Sequence, residues 1–169
     1  MPRMPTLSIR TLAVLSVLAA AAALGIALAA ENWDGLVPCP LCLLERWPYR
    51  VAIVLGLLAL VLPPRAGRWL LMLLVLVVLA DAALAFVHVG VEQAWWPSPL
   101  PECAAPHFTG GSIAERLAAM PDKVAKPCDD ASYLIPGLPL SMAMMNMLYA
   151  LGFGVVLAWF TVRWKEAVA

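Results

Sequence analysis

Charged side chains are scarce in this chain. Asp, Glu, Lys and Arg make up 13% of its 169 residues, whereas soluble domains contain about 25%. Positive and negative charges are equal in number, so the formal net charge is zero and no basic surface is indicated for binding nucleic acid. Hydrophobic residues instead reach 63% of the chain. The composition excludes an ordinary soluble domain and predicts one compact membrane domain over residues 1–169.

The hydrophobic residues are concentrated in four segments. A transmembrane helix needs about 20 apolar residues, and such segments lie at about 11–30, 43–62, 69–89 and 140–160. The second must begin near Leu43, because the 14 residues from Tyr49 to Leu62 are too few to cross. The first resembles a secretory signal, but its 20-residue run exceeds the about 7–15 residues of a signal core, so we expect it to be retained. The predicted fold class is an all-α membrane protein, a bundle of four transmembrane helices.

Basic residues indicate how the bundle is oriented. Cytoplasmic ends of membrane helices are enriched in Lys and Arg. In this chain such residues occur before the first segment, between the second and third, and after the fourth. They are Arg3, Arg10, Arg65, Arg68, Arg163 and Lys165. We therefore expect both termini in the cytoplasm and the loops at about 31–42 and 90–139 on the outer side, where all four cysteines fall.

The stretch "VPCPLCLLERWPYR" puts two cysteines at the outer end of the second segment. Cys39 and Cys42 precede the expected helix, whose unpaired N–H groups and dipole lower the pKa of a nearby thiol. Arg46 follows Cys42 by four residues, so a guanidinium on the same helix face can lie beside that sulfur. A reactive thiolate at the membrane surface is suited to electron transfer to a lipid-soluble acceptor. The alternative is a structural disulfide or an inert pair.

The other two cysteines lie in the long outer loop. Cys103 belongs to "WWPSPLPECAAPHF", which has four prolines from Pro97 to Pro106 and is expected to stay extended and available to a partner. Cys128 follows 25 residues later, and an oxidising compartment would favour disulfides over free thiols. Between them, "GGSIAERLAAMP" predicts a short amphipathic helix that begins with a capping box at Ser112 and Glu115. A disulfide that merely staples the loop is the alternative.

Polar residues within the spans are weaker indications. His88 lies at the outer end of the third span, with Glu92 four residues on, and it could donate a hydrogen bond or relay a proton. Asp81 lies mid-span, where an ionisable group is often functional, and Asn146 of the fourth span is a possible partner for it. Four methionines of the fourth span could line a pocket, although ordinary packing is the default. They are Met142, Met144, Met145 and Met147.

These features together resemble the disulfide bond formation protein B (DsbB) family. The resemblance is carried by "CPLCLLER", by "HVGVEQAWWPSPLPEC" and by the four spans. It implies redox-active disulfides Cys39–Cys42 and Cys103–Cys128, with Cys42 facing a quinone and Arg46 needed for interaction with that quinone. It further implies that Cys103 is attacked by a reduced thioredoxin-fold oxidase (DsbA-like) of the periplasm. Cys128 would then exchange with Cys39.

The same resemblance implies the remaining functional assignments. The chain would be a quinone-dependent protein-disulfide oxidoreductase of the bacterial inner membrane, with ubiquinone or menaquinone as electron acceptor. His88 and Glu92 would border the quinone, and the amphipathic helix would lie in the second periplasmic loop. DsbB and a quinone keep the bacterial periplasm oxidising. No resident metal is expected.

Three other interpretations stay open from the sequence. One is a vitamin K epoxide reductase-like quinone reductase, although the position of the CxxC pair favours the DsbB arrangement. Another is a structural membrane protein with two inert disulfides. The third is a metal-binding membrane protein that uses thiolates and imidazole, ligands that suit zinc or copper(I). Its candidate ligands are Cys39, Cys42, Cys103, His107 and Cys128.

Overall fold

In a computed structural model, residues 7–103, 112–114, 126–135 and 137–164 are described. Within these ranges, all regular secondary structure is helical and there is no strand. The helices are α1 (Ile9–Asn32), α2 (Pro40–Val61), α3 (Pro64–Glu92) and α4 (Met142–Arg163), with a 3₁₀ turn at Pro101–Cys103. The all-α prediction is therefore confirmed for the described part of the chain.

Local sequence sets where each helix begins. Ser8 and Ser141 cap α1 and α4, each accepting a hydrogen bond from a backbone N–H three residues on. Pro64 is the first residue of α3, a position at which its missing N–H is not needed. The 29 residues of α3 make a helix of about 44 Å, longer than the hydrocarbon core of about 30 Å. It therefore extends beyond the predicted span 69–89 at both ends, and its last two turns carry His88 and Glu92.

Three of these helices are long and apolar enough to cross a membrane, namely α1, α3 and α4. These three helices indicate a membrane protein. Helix α2 has a suitable length, but its first half carries Glu45, Arg46 and Arg50. The four-span bundle thus stays a prediction for α2.

The helices pack in chain order. Helix α2 lies between α1 and α3, and α4 packs mainly against α3. At the α1–α2 contact, a Cβ on Gly56 would lie 2.6 Å from Cγ2 of Val17, so glycine is needed for this close approach. Helices α1 and α4 contact each other less extensively.

The segment after α3 folds back over the end of the bundle that carries the cysteines. The Trp96 indole N–H donates to the carbonyl of Val87 at 3.0 Å, and the Trp95 backbone N–H donates to the carbonyl of Gly90 at 2.8 Å. These bonds turn the proline-rich segment back onto the bundle. Cys103, which belongs to this segment, is 5% exposed. The predicted loop helix falls largely on residues 115–120, which lie outside the described residues.

Candidate functional site

Cys39 is the residue that caps α2. Its backbone is extended, Pro40 opens the helix, and its sulfur accepts a hydrogen bond from the backbone N–H of Cys42 at 3.2 Å. A hydrogen bond from the Cys42 thiol lowers the pKa of the Cys39 thiol, and the Cys42 N–H adds to this against the opposing effect of burial. The sequence predicts that the helix N-terminus lowers the pKa of a nearby thiol but not which thiol. In the structure, the backbone N–H of Cys42 donates to the Cys39 sulfur.

The two cysteines of α2 face different neighbours. Their sulfurs are 2.6 Å apart and unbonded in this structure, so a disulfide of about 2.05 Å requires only a small movement. Cys39 is buried in a cluster with Leu41, Val91 and the outer-loop cysteines. Cys42 packs against the edge of this cluster and, unlike Cys39, also lines a cavity. The pair therefore connects the outer cluster with the interior of the bundle.

Cys103 and Cys128 form a disulfide. Cys103 reaches the cluster from the 3₁₀ turn, and both residues are at least 95% buried, with exposures of 5% and 1%. Burial of this disulfide beside Cys39 brings the two cysteine pairs of the sequence into one packed cluster. The arrangement is suited to thiol–disulfide exchange, which requires direct contact between sulfurs.

A buried histidine and carboxylate lie on the other side of Cys39. Nε2 of His88 is 3.5 Å from the Cys39 sulfur, and Nδ1 of His88 is 2.7 Å from Oε1 of Glu45. His88 is 2% exposed and Glu45 is 7% exposed. When Nδ1 carries the proton and donates it to the carboxylate, the lone pair on Nε2 faces the sulfur. The imidazole is then positioned to accept the thiol proton.

A cavity of about 310 Å³ lies between α1, α2 and α4. Helix α1 contributes an apolar wall that includes Ala23 and Ala27, whereas α2 contributes Cys42, Glu45 and Arg46. Ligand pockets typically measure about 300–1,000 Å³ and combine apolar walls with a few polar groups. The cavity therefore suits a small, largely apolar ligand next to the Cys42 sulfur.

Arg46 lies at this cavity and pairs with an acidic residue of α1. Its Nη1 is 2.7 Å from Oε2 of Glu31, and its side chain is 10% exposed against 37% for Glu31. The ion pair spans from α2 to the outer end of α1. It holds the guanidinium beside the cavity that Cys42 also lines.

The matching protein family is the disulfide bond formation protein DsbB family, whose model covers residues 9–160. The chain belongs to the DsbB family. Its three long apolar helices agree with a membrane protein of this family. The resemblance seen in the sequence is thereby confirmed.

A curated relative gives a more limited match. It is the uncharacterized protein RP370 of Rickettsia prowazekii (strain Madrid E), which is 35% identical over 71 residues. The match covers 42% of this chain and 41% of that protein. The matched segment thus spans less than half the length of the relative. No solved structure gives a significant match.

Only some of the other predicted site residues of this DsbB-family chain line the cavity. His88 contacts Cys39 but is absent from the cavity lining among the described residues. Glu92 is likewise absent from the described lining of the cavity, and it accepts a hydrogen bond from the Ser141 hydroxyl at 2.5 Å. It therefore ties the end of α3 to the start of α4. Of the four methionines, Met142 and Met145 line the cavity.

Sequence reasoning overlooked a polar network around Glu45. The Asn146 amide donates to Oε2 of Glu45 at 3.0 Å and to Oδ2 of Asp81 at 3.3 Å, and the Tyr49 hydroxyl donates to Oδ1 of Asn146 at 2.6 Å. The suggested Asp81–Asn146 contact is thus confirmed. The sequence does contain an indication of Glu45. Cys42, Glu45 and Tyr49 are separated by three and four residues, so they share a helix face.

Proposed function

We propose that this DsbB-family chain reoxidises a reduced thioredoxin-fold oxidase of the periplasm (DsbA-like) and passes the electrons to a membrane quinone. One observation carries the proposal. Cys39 packs against the outer disulfide, whereas Cys42 lines an apolar cavity inside the bundle. Adjacent sulfurs with these two environments are what a relay from a protein dithiol to a lipid-soluble acceptor requires.

The first steps are thiol–disulfide exchanges. A thiolate of the partner attacks Cys103, forming a mixed disulfide and releasing Cys128 as a thiolate. The second thiol of the partner resolves this intermediate, so the partner leaves with a disulfide and Cys103 and Cys128 are reduced. The Cys128 thiolate then attacks Cys39 of an oxidised Cys39–Cys42 pair, and Cys103 resolves that bond. The place of Cys39 and both outer cysteines in one buried cluster supports this exchange.

The last step transfers two electrons and two protons to the quinone. The Cys39–Cys42 dithiol is oxidised to a disulfide, and the quinone is reduced to a quinol. His88 is positioned to take the proton of Cys39, and its contact with Glu45 on Nδ1 would stabilise the charged imidazole. Arg46 at the cavity would attract the negative charge that develops on a quinone oxygen. The quinone is a substrate here, of either the ubiquinone or the menaquinone class.

The proposal includes an orientation. Both termini lie in the cytoplasm, and the cysteine pairs lie on the periplasmic side of the inner membrane. The basic residues at the termini and in the turn from 63 to 68 support it. This orientation allows the proline-rich segment around Cys103 to meet a periplasmic partner.

The test compares two serine variants in detergent, with a soluble quinone analogue as acceptor. In Cys103→Ser, we expect a reduced DsbA-like partner to lose quinone reduction, whereas a small dithiol that reaches Cys39–Cys42 directly keeps it. In Cys42→Ser, both reductants should fail, because the sulfur beside the cavity is missing. Quinone turnover by Cys42→Ser at the wild-type rate would contradict the proposal.

A further inference from the structure

Three soft ligand atoms converge at the head of α2. They are the sulfurs of Cys39 and Cys42 and Nε2 of His88, and all of them lie within 4.8 Å of one another. Cys39 and His88 are buried, and Cys42 is half-buried. The set differs from the ligands suggested by the sequence, because it uses His88 of α3 in place of Cys103, His107 and Cys128.

One distance among these atoms already matches a zinc site, and a second requires a small movement. Tetrahedral zinc with Zn–S of about 2.3 Å and Zn–N of about 2.0–2.1 Å separates a sulfur from a nitrogen by about 3.6 Å. The observed distance from the Cys39 sulfur to Nε2 of His88 is 3.5 Å. Two zinc-bound sulfurs lie about 3.8 Å apart, so the present 2.6 Å must open by about 1 Å. The half-buried Cys42 side chain has cavity space on its far side for this movement.

The surroundings of the three atoms also suit a metal. Glu45 holds Nδ1 of His88 at 2.7 Å, and a carboxylate on the non-ligating nitrogen is the usual support of a metal-bound histidine. Two thiolates cancel the charge of Zn²⁺ while the imidazole stays neutral. The resulting complex carries no net charge, so its burial requires no further counter-ion. The Cys-x-x-Cys spacing is itself common among zinc ligands.

We propose that the reduced Cys39–Cys42 pair binds Zn²⁺ together with His88, leaving a fourth position that faces the cavity for water. Binding displaces the two thiol protons and changes no oxidation state. Oxidation of the pair to a disulfide removes both thiolates, so zinc binds only the reduced form. Zinc therefore blocks the return of the pair to its disulfide and acts as an inhibitor. The binding itself does not depend on the proposed function, whereas the inhibition does.

The experiment uses full-length protein in detergent with Cys103→Ser and Cys128→Ser, so that one cysteine pair remains. Zinc retention is measured under anaerobic conditions before and after oxidation. We expect one zinc per reduced chain and none after oxidation. X-ray absorption at the zinc edge should give two sulfurs at about 2.3 Å and lighter atoms at about 2.0–2.1 Å. Four sulfurs, or equal retention by the oxidised form, would overturn the proposal.

Variants test whether His88 is the histidine that binds zinc. Glu45→Gln should weaken zinc binding about 10–100-fold, the usual effect of losing a carboxylate behind a metal-bound histidine. His88→Ala should weaken it at least as much. His107→Ala is the matched control, because the chain has two histidines, and it should bind zinc as before. Loss of zinc in His107→Ala with retention in His88→Ala would assign the histidine ligand to His107 and overturn the proposal.

Inhibition is measured separately. Zinc added to the protein with all four cysteines should suppress quinone reduction driven by a small dithiol, and a chelator should restore it. Turnover that is unaffected at zinc concentrations that saturate the reduced form would overturn the inhibitory role. Absence of turnover even without zinc would count against the proposed function and leave the binding result standing.

Discussion

Cys39 and Cys42 show how neighbouring residues of one helix end acquire different chemistry. Cys39 is the cap, so its sulfur accepts an N–H from the helix and faces the outer disulfide cluster. Cys42 lies one turn further and faces the cavity. Two sulfurs one turn apart along the helix thus differ in what they can react with. Cys39 is available to other sulfurs, and Cys42 is available to a ligand in the cavity.

Arg46 and Arg50 offer a comparison at the same scale. Arg46→Met removes a 10% exposed guanidinium at the cavity, whereas Arg50→Met removes an exposed one that lies over the Trp47 ring. A hydrogen bond to a charged group is worth about 1.5–3 kcal/mol, or roughly 10–100-fold. We expect Arg46→Met to slow quinone reduction by that factor, and Arg50→Met to leave it nearly unchanged.

The readout for Arg46 must separate quinone use from folding. Formation of the mixed disulfide between Cys103 and a reduced partner is measured beside quinone reduction in both variants. We expect mixed-disulfide formation at the wild-type rate in Arg46→Met. Equal loss of both steps would mean that the Arg46–Glu31 ion pair acts on the fold and not on the quinone.

At the scale of helices, Asn146 of α4 joins α2 and α3. Its amide donates to Glu45 and Asp81, and its carbonyl accepts from Tyr49. Asn146→Leu leaves these buried groups short of partners, at about 1–3 kcal/mol each. We expect the free energy of unfolding in mixed micelles to fall by at least about 2 kcal/mol.

Tyr149→Phe is the matched control on α4. It removes one hydrogen bond, from the half-exposed Tyr149 hydroxyl to the carbonyl of Ala19, and should cost only about 0.5–1.5 kcal/mol. If Asn146→Leu destabilises the protein no more than this control does, the network contributes little to joining the helices. In an Asp81→Leu background, Asn146→Leu should cost less than it does in the wild type, because one shared partner is already gone.

The close contact between Gly90 and Trp96 fixes the segment that leads to Cys103. A Cβ on Gly90 would overlap the Trp96 indole, whereas a Cβ on Gly25 of α1 would meet nothing within 4 Å. Gly90→Ala should therefore destabilise the protein by about 1–3 kcal/mol, as overpacking usually does. Gly25→Ala serves as the control and should have little effect.

Displacement of this segment should also affect one step of turnover selectively. We expect Gly90→Ala to slow quinone reduction driven by the protein partner, which requires Cys103 beside Cys39. Reduction driven by a small dithiol should persist, because the cavity lies between α1, α2 and α4. A uniform decrease with both reductants would contradict a local effect of Gly90 on the loop.

Much of this arrangement was predictable because it depends on local sequence. The apolar segments predicted the helices, and the need for a span of about 20 residues placed the start of α2 near Leu43. The helix in fact begins three residues earlier, at Pro40, so Cys42 lies inside it. Contacts between helices were not predictable in the same way. His88 and Glu45 are separated by 43 residues, and their pairing depends on how α2 and α3 rotate against each other. For the same reason, the bond between Glu92 and Ser141 was not predictable, and the assignment of Glu92 to the quinone region stays a prediction.

At the scale of the whole molecule, the question is whether α2 crosses the membrane. Its 22 residues give a length of about 33 Å, enough for a hydrocarbon core of about 30 Å. Glu45 and Arg46 are 7% and 9% exposed, so they face the interior of the bundle and not lipid. Ionisable residues of membrane helices usually lie this way. We therefore predict four crossings, with Arg50 close to the outer interface.

The number of crossings determines where the termini lie. Four crossings put both termini on one side of the membrane, and the basic residues at both ends make that side the cytoplasm. Three crossings, with α2 lying on the surface, would put the termini on opposite sides. We expect a reporter that folds only in the cytoplasm to be active when fused to either end. The same reporter inserted between α1 and α2, after Asp34, should be inactive, and activity at only one terminus would show that α2 does not cross.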